Sequence, residues 1–174
     1  MTAPHPKEVV LGLYPFTRGV AFAAFHSSLS PVDWGMKKLQ GDKDVFSFEA
    51  TKELIAHLQP DVLVLGDCSR RQSRPPSDLG KLHKRIAAYA ESMLIEVHVF
   101  KKSDIANCFH GVGATTRYEI AKAIAAQVDA LSHRLPPPLK PWNSQNQRLA
   151  LFDAAALVMT YYCQKKPLTQ LAKK

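Results

Sequence analysis

Three short apolar runs with no charge inside them limit what this chain can become: Val9-Val10-Leu11-Gly12-Leu13-Tyr14, Val20-Ala21-Phe22-Ala23-Ala24-Phe25 and Val62-Leu63-Val64-Leu65-Gly66. Runs of this length and composition are read as strands buried on both faces of a sheet. The turn residues Pro15-Phe16-Thr17-Arg18-Gly19 join the first two into a hairpin, and a third strand is predicted near Val45-Phe46-Ser47-Phe48. The opening is therefore a β-meander.

Helical and strand patterns alternate after it. Glu49 to Leu58 predicts a helix ended by Pro60, and the third apolar run follows as a central strand. Asp78 is placed to cap a helix running to about Met93, and Ile95 to Phe100 alternates like a strand. A helix is predicted from Thr115 or Thr116 to about Ser132. Pro136-Pro137-Pro138 through Trp142 makes a stiff connection, and Asn143 or Ser144 opens a final apolar helix to about Cys163. A meander followed by alternating elements gives an α/β class, with a mixed sheet flanked by helices. One domain is expected over 1–164, with a basic, flexible tail at 165–174.

Charge narrows the choice of partner. The net charge of +8 is concentrated between Cys68 and Ile86, where Arg70, Arg71, Arg74, Lys81, Lys84 and Arg85 face only Asp78, a net +5 over 19 residues. Such a segment attracts polyphosphate through Coulomb forces and counterion release. Lys81, Lys84 and Arg85 form one helix stripe, and the three arginines follow the central strand, on the rim where α/β sheets bind ligands. The longest apolar run, Leu149 to Cys163, contains Asp153 and is too short to span a bilayer. With no signal-like N-terminal stretch and three scattered cysteines, a cytoplasmic, reducing location and no membrane partner are expected.

Four segments, in order, resemble the RuvC-type Holliday junction resolvases of the RNase H-like superfamily. Leu11 to Phe22 is similar to that family's opening hairpin, and Pro60-Asp61-Val62-Leu63-Val64-Leu65-Gly66-Asp67 to its strand ending in a catalytic Glu. Gly111-Val112-Gly113-Ala114-Thr115-Thr116-Arg117 looks like its Gly-x-Gly loop leading to a basic residue, and Asp153-Ala154-Ala155-Ala156-Leu157 like the end of its final helix motif. The resemblance implies an RNase H-like, five-stranded mixed sheet, nucleic acid as partner (branched DNA in that family), a role in DNA recombination and a homodimer. It places Arg117 near the scissile phosphate, and Gly111 and Gly113 are expected to let backbone N–H groups approach a phosphate at the start of the next helix.

Resolvases of this kind cut with clustered carboxylates that hold two divalent metals about 3.5–4 Å apart. The positions that should carry acids are filled here by Tyr14, Gly66 and Ala150. Asp67 stands one residue beyond its slot, and only Asp153 falls squarely in place. Asp153 is also the only charge in Leu149–Cys163, bordering an apolar helix face where it needs a partner. It is read either as a remnant metal ligand or as a structural Asp bonded to Arg, His or backbone N–H, and the loss of its companions favours the second.

Three functions follow from these residues. The first is a nucleic-acid-binding pseudo-nuclease that needs no cofactor. The second is a Mg²⁺- or Mn²⁺-dependent endonuclease rebuilt from Asp67, Asp153 and an acid such as Glu49 or Glu119. The third is a structural or assembly subunit with a protein partner.

Overall fold

The computed structural model describes residues 7–68, 78–138, 140 and 147–165. The first strands are β1 (Val10–Phe16), β2 (Gly19–Ser27) and β3 (Ser30–Lys38), followed by helix α1 (Lys43–Leu58) and strand β4 (Val62–Gly66). Then come α2 (Asp78–Ser92), β5 (Glu96–Phe100), α3 (Lys102–His110), α4 (Arg117–Gln127), α5 (Asp129–Ser132) and α6 (Leu149–Lys165). The strands make one mixed sheet in the order β3-β2-β1-β4-β5. β1, β2 and β3 are antiparallel neighbours, whereas β4 and β5 run parallel to β1.

Period-two alternation assigns the two sheet faces. Leu11, Leu13, Leu63 and Leu65 point toward α1 and α2, in a core completed by Leu54, Ile55, Leu82 and Ile86. Val10, Val62 and Val64 point the other way, toward α6. That helix lies against the sheet on one side and is covered by α3 and α4 on the other. Burial all round explains its nearly continuous apolar sequence, since a helix with no solvent face keeps no polar stripe. α6 also approaches β1 very closely at Gly12. A Cβ placed there would lie 2.4 Å from the Ala154 carbonyl oxygen and 2.7 Å from Val158 Cγ2.

The meander's third strand is not where the sequence placed it. Val45–Phe48 belongs to α1, whose start is fixed by the Asp42 carboxylate accepting from the amides of Asp44 at 3.1 Å and Val45 at 3.0 Å. Buried Ser47, Ala50, Thr51, Leu54 and Ile55 then follow helical spacing. The true third strand, Ser-Pro-Val-Asp-Trp-Gly-Met-Lys-Lys, carries Pro31, Asp33 and Gly35 and pairs on one side only, as an edge strand can. α3 was not anticipated; Asp104 organises its first turn by accepting from the Lys101 amide at 2.7 Å. The helix expected from Thr115 or Thr116 to Ser132 is two, because Val128 takes an extended conformation between α4 and α5. α2 is described from Asp78 onward. Trp142, Asn143, Ser144 and the tail beyond Lys165 lie outside the described residues. Among the described residues no helix is long and apolar enough to cross a membrane.

Candidate nucleic-acid interface

The parallel strands β1, β4 and β5 end on one rim of the sheet. Leu13 pairs with Leu65, and Gly66 with Phe100, so Tyr14, Gly66 and Phe100 finish close to one level. Tyr14 shares its face with Val10 and Gly12, the face that α6 covers. The close approach at Gly12 brings Asp153, one residue before Ala154, toward Tyr14. The two are near enough for the Asp153 charge to raise the Tyr14 pKa, second to burial.

Asp153 is held by Arg117. The Arg117 Nε donates to both carboxylate oxygens, at 3.1 Å to Oδ1 and 3.0 Å to Oδ2, and Nη2 also donates to Oδ2. With side chains only 19% and 30% exposed, this is a partly buried, bidentate ion pair rather than a surface contact. Burial pushes the Asp153 carboxyl above its usual pKa, while the Arg117 hydrogen bonds and charge, and the charge of Lys102, pull it back. Burial also opposes the charge on Arg117, but the bonds and charge of Asp153 outweigh it and hold that guanidinium above its ordinary value.

Arg117 is aimed at Asp153 by local structure at the start of α4. Thr116 caps the helix, accepting from the Glu119 amide at 3.2 Å, and Glu119 Oε2 accepts from the amides of Thr115 at 2.8 Å and Thr116 at 2.9 Å. These bonds hold the Glu119 carboxyl at a pKa of about 2. The preceding loop turns at Gly113, with φ of +76°, which a glycine adopts without strain. Its amides are used internally: Gly113 donates to His110, and Ala114 to Phe109. Gly111 and Gly113 therefore shape the turn that delivers Arg117, and their loop is not an array of open N–H donors.

The other predicted site residues separate into three groups. Ala150 is 1% exposed, in the core one turn before Asp153. The Asp67 amide still donates to Phe100 at 2.7 Å, so pairing continues past Gly66 and alternation turns Asp67 from the Asp153 face. Its charge acts instead on Cys68 and on His83 of α2. Lys81, Lys84 and Arg85 lie on α2, across the sheet from Asp153. All three are exposed; Lys81 stands 3.7 Å from Asp78, and Arg85 lies over the Phe48 ring at 4.5 Å. Arg70, Arg71 and Arg74 lie outside the described residues.

Two features of the rim went unnoticed in the sequence. Lys102, the first residue of α3, acts on both Asp153 and Cys68. The Lys101-Lys102 pair directly after a parallel strand was its signal, since ligands gather at such strand ends. The second is the Cys68–His83 contact, with Sγ 3.4 Å from Nδ1 and that Nδ1 3.0 Å from the Gly66 carbonyl it donates to. Burial lowers the His83 pKa, opposed by this bond and by Asp67, which favours a neutral ring.

The residues do not fit a two-metal centre. Tyr14 offers a phenol whose pKa burial raises further, Gly66 and Ala150 offer no ligand atom, and both Asp153 oxygens are engaged by Arg117. Glu49 pairs with Lys52 at 2.7 Å on α1, across the sheet, and Glu119 caps α4. Among the described residues no three His, Cys, Asp or Glu side chains gather closely enough to hold a metal ion.

The architecture matches solved structures. Thermus thermophilus RuvC superposes with a TM-score of 0.64 over 90% of this chain and 95% of its own, at 14% identity. The fold is RNase H-like. The same RuvC in complex with a Holliday junction substrate gives a TM-score of 0.66, covering 91% of this chain and 95% of that one, also at 14% identity. The yeast mitochondrial Holliday junction resolvase Ydc2 gives 0.62 over 97% of this chain and 83% of its own, at 13% identity. No family model matches the sequence, and no curated protein matches it. The chain thus shares its fold with these structures at 13–14% identity.

Proposed function

We propose that this chain is a nucleic-acid-binding protein that uses a RuvC-like scaffold without two-metal strand cleavage. The observation that carries the reading is the Arg117–Asp153 pair. Where a cleaving site needs several carboxylates converging on cations, this site has one carboxylate already neutralised by a guanidinium. With Arg117 and Asp153 offsetting each other, the positive charge left near the pair comes from Lys102, and the arginine-rich segment follows β4 in sequence. That balance suits a phosphate backbone and needs no metal to offset acid repulsion. A structural neighbour solved with a Holliday junction supports branched DNA as the first ligand to try. The family resemblance of the sequence segments extends the proposal to a homodimer.

Binding is tested by fluorescence anisotropy with labelled four-way junction, duplex and RNA probes in EDTA. Affinity is expected to fall linearly on a log–log plot as salt rises from about 50 to 200 mM. Lys102→Gln is expected to weaken binding and reduce the slope by about one, and joint replacement of Arg70, Arg71 and Arg74 to weaken it further. Undetectable binding to every probe at low salt would overturn the reading.

A further inference from the structure

Away from the rim, two of the three cysteines share a cavity. Cys108 of α3 and Cys163 near the end of α6 line a space of about 240 Å³ together with Asp104, Asn107, Thr160 and Gln164. The Cys108 thiol points at the Met159 carbonyl, with Sγ 3.9 Å from the oxygen. Cys163 lies four residues beyond Met159 on the same helix, one turn along the same face. Both thiols are free, and the Met159 carbonyl that Cys108 faces is the one whose i to i+4 helical partner is Cys163, so the two residues adjoin. Cys108 is buried, while Cys163 is half-exposed at the cavity. The third thiol, Cys68, is engaged with His83 at the other site.

We propose that Cys108 and Cys163 form an oxidisable dithiol that a hydroperoxide closes to an intramolecular disulfide. With hydrogen peroxide, the Cys163 thiol gives up its proton as its sulfur attacks one peroxide oxygen. The S–O bond forms, the O–O bond breaks, and the departing hydroxide takes the Cys163 proton to become water. The Cys108 sulfur then attacks the Cys163 sulfenic sulfur. The S–S bond forms, the S–O bond breaks, and the second hydroxide leaves as water with the Cys108 proton. Two thiols are oxidised and one peroxide is reduced to two waters. The order follows from exposure, because the peroxide meets Cys163 first, while burial raises the Cys108 pKa and keeps that sulfur a thiol until the sulfenic acid stands beside it. The disulfide would staple α3, which begins at Lys102, to α6, which carries Asp153.

The test treats the reduced, folded chain with stoichiometric hydrogen peroxide, then denatures it, alkylates it with iodoacetamide and maps the peptides by mass. Alkylated cysteines are expected to fall from three to one in the monomer, the survivor being Cys68, with a linked Cys108–Cys163 peptide appearing. In Cys108→Ser, dimedone is expected to trap a sulfenic acid at Cys163, with no intramolecular link. Full alkylation of Cys108 and Cys163 after peroxide would overturn the proposal. So would a disulfide that includes Cys68 or joins two chains, or the absence of a dimedone adduct at Cys163 in Cys108→Ser.

Discussion

Replacing Gly12 by alanine is expected to destabilise the protein by about 3 kcal/mol, lowering Tm by roughly 6–12 °C for a domain of this size. The added Cβ would sit 2.4 Å from a backbone carbonyl of α6, and a helix held between sheet and outer helices cannot step back to make room. Gly66→Ala is the matched control. Its Cβ would meet only Leu157 Cδ2 at 3.9 Å, an ordinary contact, so Tm should change little. Thermal unfolding of the two variants side by side checks whether α6 is seated on β1 as closely as its packing requires. The consequence reaches the rim, because the same contact sets Asp153 beside Tyr14. Equal behaviour of the two alanines would contradict that seating.

The second large effect is expected at Asp153. Asp153→Ala removes the carboxylate facing a half-buried guanidinium and should cost about 2–3 kcal/mol, below the figure for a fully buried pair because both side chains keep some solvent. Replacing both partners, as Arg117→Leu with Asp153→Leu, should cost less than the two single losses combined, since neither charge is left behind. A double-mutant cycle by chemical denaturation measures this coupling. A metal ligand held in reserve would behave differently: its loss would leave stability nearly unchanged in the absence of metal, with no coupling to Arg117.

The fold was legible where burial wrote it into composition. The runs Val9–Tyr14, Val20–Phe25 and Val62–Gly66 are strands because both their faces are covered, and α6 is apolar throughout because it is enclosed. The edge strand Ser30–Lys38 was not legible, since it pairs on one side only and tolerates Pro31, Asp33 and Gly35. Val45–Phe48 misled because a short run of Val and Phe reads as strand, whereas the Asp42 cap two residues before Asp44 decides for helix. α3 was hidden by the lysine pair at its start, Lys101 and Lys102, and by its short length. At the site, the need of Asp153 for a partner could be read from its solitary charge. That the partner is Arg117 depends on the Gly113 turn and the Thr116 cap, which act across 36 residues of sequence. The spread of Lys81, Lys84 and Arg85 away from Asp153 was equally hidden, because it depends on which sheet face α2 covers.

The most direct test is strand scission of an end-labelled four-way junction, incubated with the protein in Mg²⁺ or Mn²⁺ and, in parallel, in EDTA. Intact strands are expected in every lane, with the protein–junction complex retained in EDTA. Metal-dependent cutting that disappears in Asp153→Asn would contradict a binding protein whose one remaining acid is committed to Arg117.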